Sequence, residues 1–457
     1  MVFSSIPFIF FFLPIFFLVY LIVPSKIKNF VLMIFSLMFY AWGEPIYVLL
    51  MLFSALFNFI CGILLDKRGN KKVVLIVSVV INIGLLIVYK YTSFFLGIIN
   101  DVFNLSINDP ELRLPIGISF FTFQALGYVI DVYRKDVKAS YNFVDFLSYI
   151  SMFPQLIAGP IVRYETVSEE LRNREITFSK FSNGFRRFLV GLFKKVLLAN
   201  SIGLLFSTIT SNSIQDISVM SSWLAIVSYT FQIYFDFSGY SDMAIGLGLM
   251  MGFNFLENFN YPYISKSITE FWRRWHISLS SCFRDYVYIP LGGSRCSKFK
   301  NIRNILIVWL LTGLWHGASF NFLLWGIYYG VILLIEKFVL NKWIEKWPNF
   351  IRHIYAIVII LIGWTIFAFC DLDYMFSYLK VMFGFNGNAF IDNTFLYYFN
   401  NYFILLIILV ICSVPIKIKI DNKIFKIVKV LFYIILFIIT ISFIVSDTYN
   451  PFIYFRF

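Results

Sequence analysis

Apolar runs long enough to cross a bilayer recur along the whole chain, and short loops rich in Lys and Arg separate them. A helix rises about 1.5 Å per residue, so about twenty apolar residues match a hydrocarbon core of about 30 Å. By this measure spans fall near residues 3–23, 30–41, 73–89, 114–133, 196–212, 221–238, 354–370, 396–414 and 430–446. A further span returns from the turn Trp42-Gly43-Glu44-Pro45 to Lys67-Arg68-Gly69-Asn70-Lys71-Lys72, and a hairpin of spans covers 304–336. Residues 143–160 are shorter and interrupted by Pro154 and Pro160, which predicts a re-entrant segment. Gly246, Gly248 and Gly252 mark a helix that can approach a neighbour closely. The fold class that follows is an all-α polytopic membrane protein of about 10–12 transmembrane helices, one domain over residues 1–457 with no internal repeat.

Charge orients these spans. Lys26 and Lys28, the 67–72 cluster, Arg134-Lys135, the basic stretch Arg163 to Lys195, the loop Lys337 to Arg352 and the five lysines from Lys417 to Lys429 all read as cytoplasmic. The amino terminus and the tail at 447–457 then face outside. Residues 3–23 lack a basic leader and a cleavage site, so an uncleaved first span is expected. With 60% hydrophobic and 14% charged residues, a soluble globular class is excluded. The net charge of +13 sits in loops, where the inside bias of a bacterial cytoplasmic membrane puts it, and does not point to nucleic acid. The five cysteines are scattered without metal-ligand spacing, and Cys282 and Cys296 flank a basic cytoplasmic segment where a disulfide is not expected. No metal site is expected.

Three places could carry chemistry. His316 lies in an apolar run between Arg303 and Glu336, thirteen residues and about 20 Å of helix from the nearer charge. An ionisable group at that depth is a functional candidate, the plainer reading being an imidazole bonded to a neighbouring carbonyl. A proton-accepting role needs the neutral ring, which desolvation favours. Trp309, Thr312, Gly313 and His316 share a helical face, and Gly313 and Gly317 leave room beside the ring for a substrate or for another helix. The second place is the basic, aromatic block Ser267 to Ser280. Ser267 and Glu270 form a capping-box signature that starts a helix, and His276 falls on the face of Trp272, Arg273, Leu279 and Ser280. Arg284, Asp285 and the turn through Gly292-Gly293 to Arg295 follow. The block is either an interfacial anchor or a vestibule in which Arg273, Arg274, Arg295 and Lys298 attract a polyanionic donor. The third place is the cluster Asp236, Ser238, Tyr240, Ser241 and Asp242, expected as a polar lining that orients histidines or arginines, or as a hydroxyl belt.

Trp315-His316-Gly317, Phe271 to Ser280, Arg284 to Gly293, Leu114 to Gln124 and Gln155 to Ile161 together resemble the membrane-bound O-acyltransferases, in the branch of bacterial alginate and peptidoglycan O-acetylases. The resemblance covers nearly the whole chain. It implies a ring of transmembrane helices, with re-entrant and in-plane helices, around a central tunnel where funnels from both faces meet at the catalytic histidine. His316 matches that histidine and His276 the second, cytoplasmic-side one. Trp272, Arg273, Arg274, Arg284, Asp285, Arg295, Thr312, Trp315, Asp236, Ser238 and Tyr240 are the expected donor-binding or tunnel-lining side chains. The implied donor substrate is acetyl-CoA, with no tightly bound cofactor. The implied partners are a secreted or membrane-anchored extracytoplasmic acetyltransferase and a polysaccharide acceptor.

The carboxyl-terminal Pro451-Phe452-Ile453-Tyr454-Phe455-Arg456-Phe457 resembles a motif of a small partner protein of teichoic-acid D-alanylation, in which a tyrosine is proposed to carry the acyl group. Tyr454 is therefore a candidate acyl relay, against the plainer reading of an aromatic belt. The competing functions are a teichoic-acid type D-alanyl transferase, a polysaccharide transporter and a scaffold of an export complex. A transporter predicts repeated halves with paired broken helices, and the sequence has neither.

Overall fold

A computed structural model describes residues 2–67, 70–157, 159–416 and 422–446. The chain is 77% helical, with no strand among the described residues, and is a multi-pass all-α membrane protein. Seven helices among the described residues are long and apolar enough to cross a bilayer. Short helices account for part of the difference from the expected number, while Val219–Met251, with 33 residues, is long enough and stands outside the seven because of its polar side chains. Helices such as Lys28–Gly43 and Ile118–Arg134 have 16 and 17 residues, about 25 Å at 1.5 Å per residue and short of the hydrocarbon core.

The contacts divide the chain into two compact units, Met1–Phe188 with Tyr240–Leu256, and Leu189–Gly239 with Glu257–Phe457. The first unit contains α1 (Phe8–Ile22), α2 (Lys28–Gly43), α3 (Tyr47–Asp66), α4 (Lys71–Phe103), α5 (Ile118–Arg134), α6 (Phe143–Ser151) and α7 (Tyr164–Arg172). The expected re-entrant segment is α6 followed by a break at Met152 and one further turn, Phe153–Leu156. This irregular backbone is wholly buried, as non-helical chain at membrane depth must be. Phe153 anchors it, edge-on to Phe12 and Phe16 at ring distances of 5.3 and 5.2 Å. Elsewhere in this unit Asn58 and Asn82 exchange amide hydrogen bonds of 3.1 and 2.8 Å between α3 and α4, and Ser78 donates to Asn58.

Two long helices each contribute to both units: α8 (Phe178–Thr210) and α9 (Val219–Met251). The basic stretch ending at Lys195, expected to be cytoplasmic, is helical from Phe178 onward. A π-helical turn over Lys194–Asn200 places Lys195 inside the protein at 3% exposure. Its Nζ meets Asp236 Oδ1 of α9 at 2.7 Å and donates to Asn200 Oδ1 at 2.8 Å. A buried cation is admissible only with such partners. Gly246 makes the close approach its sequence foretold, since a β-carbon there would lie 2.6 Å from the Gly184 carbonyl oxygen.

The second unit continues with α10 (Ile268–Arg274), α11 (Ile277–Phe283), α12 (Lys298–His316), α13 (Phe320–Ile344), α14 (Asn349–Ala368), α15 (Leu372–Met382), α16 (Asn393–Cys412) and α17 (Lys423–Ser446). Its core is aromatic, with Trp272, Trp275, Trp309, Trp325, Tyr329 and Trp364 packed together.

Candidate active site

The expected hairpin is α12 and α13, joined by Gly317-Ala318-Ser319. From Asn304 to His316 its apolar arm is thirteen residues, about 20 Å, so the bend falls short of a full crossing. His316 is the last helical residue, where the chain turns. Gly313 and Gly326 allow the two arms to touch: β-carbons there would fall 2.3 Å from the Phe322 carbonyl oxygen and 2.4 Å from that of Trp309. Gly317 is likewise covered by the Phe322 ring. Of the two uses foreseen for these glycines, it is helix contact that they serve, and the room beside the imidazole comes from elsewhere.

His316 is 3% exposed and is held edge-to-face by Trp315, Trp325 and Phe367 at 5.0, 5.0 and 5.3 Å. Its accessible side faces a cavity of about 260 Å³, lined also by His276, Trp272, Arg273, Thr312 and Arg284. Thr312 spends its hydroxyl on the Val308 carbonyl at 2.7 Å, an ordinary back-bond within the helix.

His276 reaches the same cavity by a route that helical periodicity could not foresee. Ser267 does cap α10, accepting from the Glu270 N–H at 3.0 Å, but that helix ends at Arg274. His276 is left-handed (φ 44°, ψ 55°) between α10 and α11, so the face it was expected to share does not exist. A non-glycine residue there carries strain of about 1 kcal/mol or more, and such outliers gather at functional sites. Asn258 holds the ring. The Ser278 backbone N–H donates to Asn258 Oδ1 at 3.2 Å, which identifies that atom as the oxygen. His276 Nδ1, 3.1 Å from the same atom, must then be the donor, leaving Nε2 as the acceptor nitrogen. Phe237 packs edge-on to the ring at 4.6 Å. Burial pushes the His276 pKa from 6.5 down to about 3, so the ring is neutral at ordinary pH.

A second cavity of about 540 Å³ shares Thr269, Arg273, Tyr288, Val308, Trp309 and Leu333 with the first, so the two adjoin. Its charged walls are Arg273, Lys337 and Arg352 together with Glu270, Glu336 and Glu345. The vestibule expected from the block at 267–298 is therefore composed differently. Arg274 is turned away, bonded to Glu270 and to the Asn260 carbonyl, both at 3.0 Å. Arg295 and Lys298 are exposed in and after the glycine turn. Arg284 lines the inner cavity, but its guanidinium is engaged by Asp285 through contacts of 2.7 and 3.1 Å.

The cluster at 236–242 does not line either cavity. Asp236 pairs with Lys195, Asp242 with Arg187 at 2.8 Å, Ser238 is buried in α9, and Tyr240 stacks on Phe3 at 4.5 Å in the first unit. Trp315 touches both imidazoles, its ring lying 5.9 Å from that of His276, without facing the cavity. Tyr454 lies outside the described residues. No cluster of three or more metal-ligating side chains occurs among the described residues. Sequence reasoning missed Asn258, Lys337 and Arg352, and used Glu336 only as a boundary marker. Of these, Glu336 alone had a signal, being the first charge after a long apolar run.

The family model of the membrane-bound O-acyltransferases matches residues 134–379. The chain is 42% identical to the probable alginate O-acetylase AlgI of Pseudomonas aeruginosa over 393 residues, 84% of this chain and 75% of that protein. It is 34% identical to the peptidoglycan O-acetyltransferase of Helicobacter pylori over 425 residues, 85% of this chain and 80% of that protein. With the teichoic acid D-alanyltransferase of Bacillus subtilis the identity is 31% over 280 residues, 57% of this chain and 68% of that one.

Proposed function

Because the chain belongs to the membrane-bound O-acyltransferase family, we propose that this O-acyltransferase takes acetyl from cytoplasmic acetyl-CoA and delivers it for O-acetylation of an extracellular or cell-wall polysaccharide. Its setting is the bacterial cytoplasmic membrane, and an extracytoplasmic transferase completes the delivery. The observation that carries this reading is the convergence of His316 and His276 on one aromatic-walled cavity beside a larger one lined by three cationic and three acidic side chains. In that larger cavity Glu270 is bonded to Arg274 and Glu336 to the Ile268 and Thr269 N–H groups, and the fork geometry of Arg273 and Arg352 suits the phosphates of a coenzyme thioester.

In the step we propose, His316 takes the proton of an acceptor hydroxyl as that oxygen attacks the thioester carbonyl carbon. The carbon–oxygen bond forms, the carbon–sulfur bond breaks, and the departing thiolate receives the proton from the imidazolium. No proton or electron is gained overall. His276, neutral and fixed by Asn258, orients the bound thioester. Tyr454 is the proposed first acceptor, forming an acetyl-tyrosine.

The test is transfer of labelled acetyl from acetyl-CoA in proteoliposomes. Label is expected on the protein or on an added glycan with the wild type, and on neither with His316→Ala. Tyr454→Phe should keep insertion and thiol release by hydrolysis while losing label on the protein, and full labelling in that variant would remove the relay. The local similarity to D-alanyl transferases supports one second reading, a D-alanyl donor on a soluble carrier protein. Turnover of that donor but not of acetyl-CoA would establish it.

A further inference from the structure

Glu336 is 4% exposed, on the wall of the larger cavity, where a π-helical turn over Glu336–Leu340 interrupts α13. Its carboxylate accepts hydrogen bonds from the Ile268 N–H at 2.6 Å, the Thr269 N–H at 2.8 Å and the Thr269 hydroxyl at 2.7 Å. A fourth comes from the Tyr355 hydroxyl at 3.2 Å. Three elements thus meet on one side chain: α13, which forms the hairpin with the His316 helix; α10, which leads into His276; and α14. We propose that Glu336 is a positioning residue for acyl transfer, fixing the His276 segment in register with the His316 hairpin.

The reason is mechanical. Helix α10 is a single rigid piece of seven residues that presents Trp272 and Arg273 to the cavity and ends at Arg274, two residues before the left-handed His276. A shift where it begins is carried along the hydrogen-bonded helix to Arg274 and reaches the imidazole through the buried Trp275, whose N–H is bonded back to the Phe271 carbonyl at 2.9 Å. Only a carboxylate meets these four donors with acceptors alone. An amide would turn its NH₂ group toward at least one of them, leaving a buried N–H or hydroxyl without an acceptor. A displacement of about 1 Å in a reacting constellation is enough to cost about 10²-fold in rate. The proposal rests on reading the cavity as the site of transfer.

The experiment compares Glu336→Gln with the wild type as full-length protein in proteoliposomes, with acetyl-CoA turnover read as thiol release per folded molecule. Turnover should fall by about 10- to 100-fold with KM for acetyl-CoA within about threefold of the wild type. Glu336→Ala opens a hole on the cavity wall, and added formate should restore part of its turnover without affecting the wild type. Unchanged turnover per folded molecule, with only a lowered melting temperature, would overturn the proposal, as would a loss confined to KM. Hydrogen exchange supplies a readout independent of the donor. Protection over residues 268–280 should drop in Glu336→Gln while that over 349–368 holds, and unchanged protection at 268–280 ends the proposal. A wild type inert toward acetyl-CoA would count against the functional reading, and the exchange experiment would still decide the role of Glu336.

Discussion

The Asn58–Ser78–Asn82 cluster of the first unit and the His276–Asn258–Ser278 cluster of the second are built from the same interactions. Each is buried, and each centres on an asparagine side chain. The first ties one helix to its neighbour, and the amides bond to each other. The second uses its asparagine to aim a ring at a cavity of about 260 Å³. The lesson is that a buried polar residue in a membrane protein is informative about chemistry only when a void adjoins it. Lys195 and Asp236 make the same point more forcefully, as a full ion pair that lines neither cavity.

His316→Ala is expected to lower acetyl transfer by about 10³-fold, the scale of a lost general base. Labelled acetyl-CoA turnover in proteoliposomes measures it, and near-normal turnover would erase the distinction between cavity-facing and closed clusters. Lys195→Met should do the opposite. Leaving Asp236 buried without its cation costs about 3 kcal/mol of stability, seen as a lower denaturation midpoint, while turnover per folded molecule stays near the wild type. Lys195→Met with Asp236→Leu should recover much of that stability, because two well-packed apolar side chains replace a desolvated pair.

A smaller effect distinguishes His276 by pH. Its pKa is about 3 in the folded protein against 6.5 in an ordinary histidine. Between those values the unfolded chain binds a proton that the folded chain does not, so stability falls as pH is lowered from about 6.5 toward 3. Thermal melts at stepped pH should show that fall, and His276→Asn should flatten it. The least effect belongs to the first unit. Asn82→Ala should cost about 1 kcal/mol, typical of hydrogen bonds between helices in a bilayer, with transfer unaltered.

Much of this was legible in the residues because the bilayer imposes a simple code. Span spacing, the broken segment around Pro154 and the hairpin over 304–336 follow from length, proline and charge placement. The capping of α10 by Ser267 was equally local. What could not be read was any contact that depends on where distant helices meet. Lys195 looked like one more loop lysine until a π-helical turn rotated it toward Asp236. The arginines of the 267–298 block looked alike in sequence, and only packing separates Arg273, on the cavity, from Arg274, bonded to Glu270. Helical periodicity also failed at Trp275-His276, since nothing in that dipeptide signals a left-handed residue.

That left-handed histidine has a practical corollary for mutagenesis. Replacing His276 with alanine changes two variables together, deleting the imidazole and keeping a β-carbon in a conformation that L-residues resist. Glycine deletes the ring and relieves the backbone, so the Gly variant is the cleaner control. If alanine and glycine differ in yield but agree in specific activity, the ring's contribution can be separated from that of the kink which carries it.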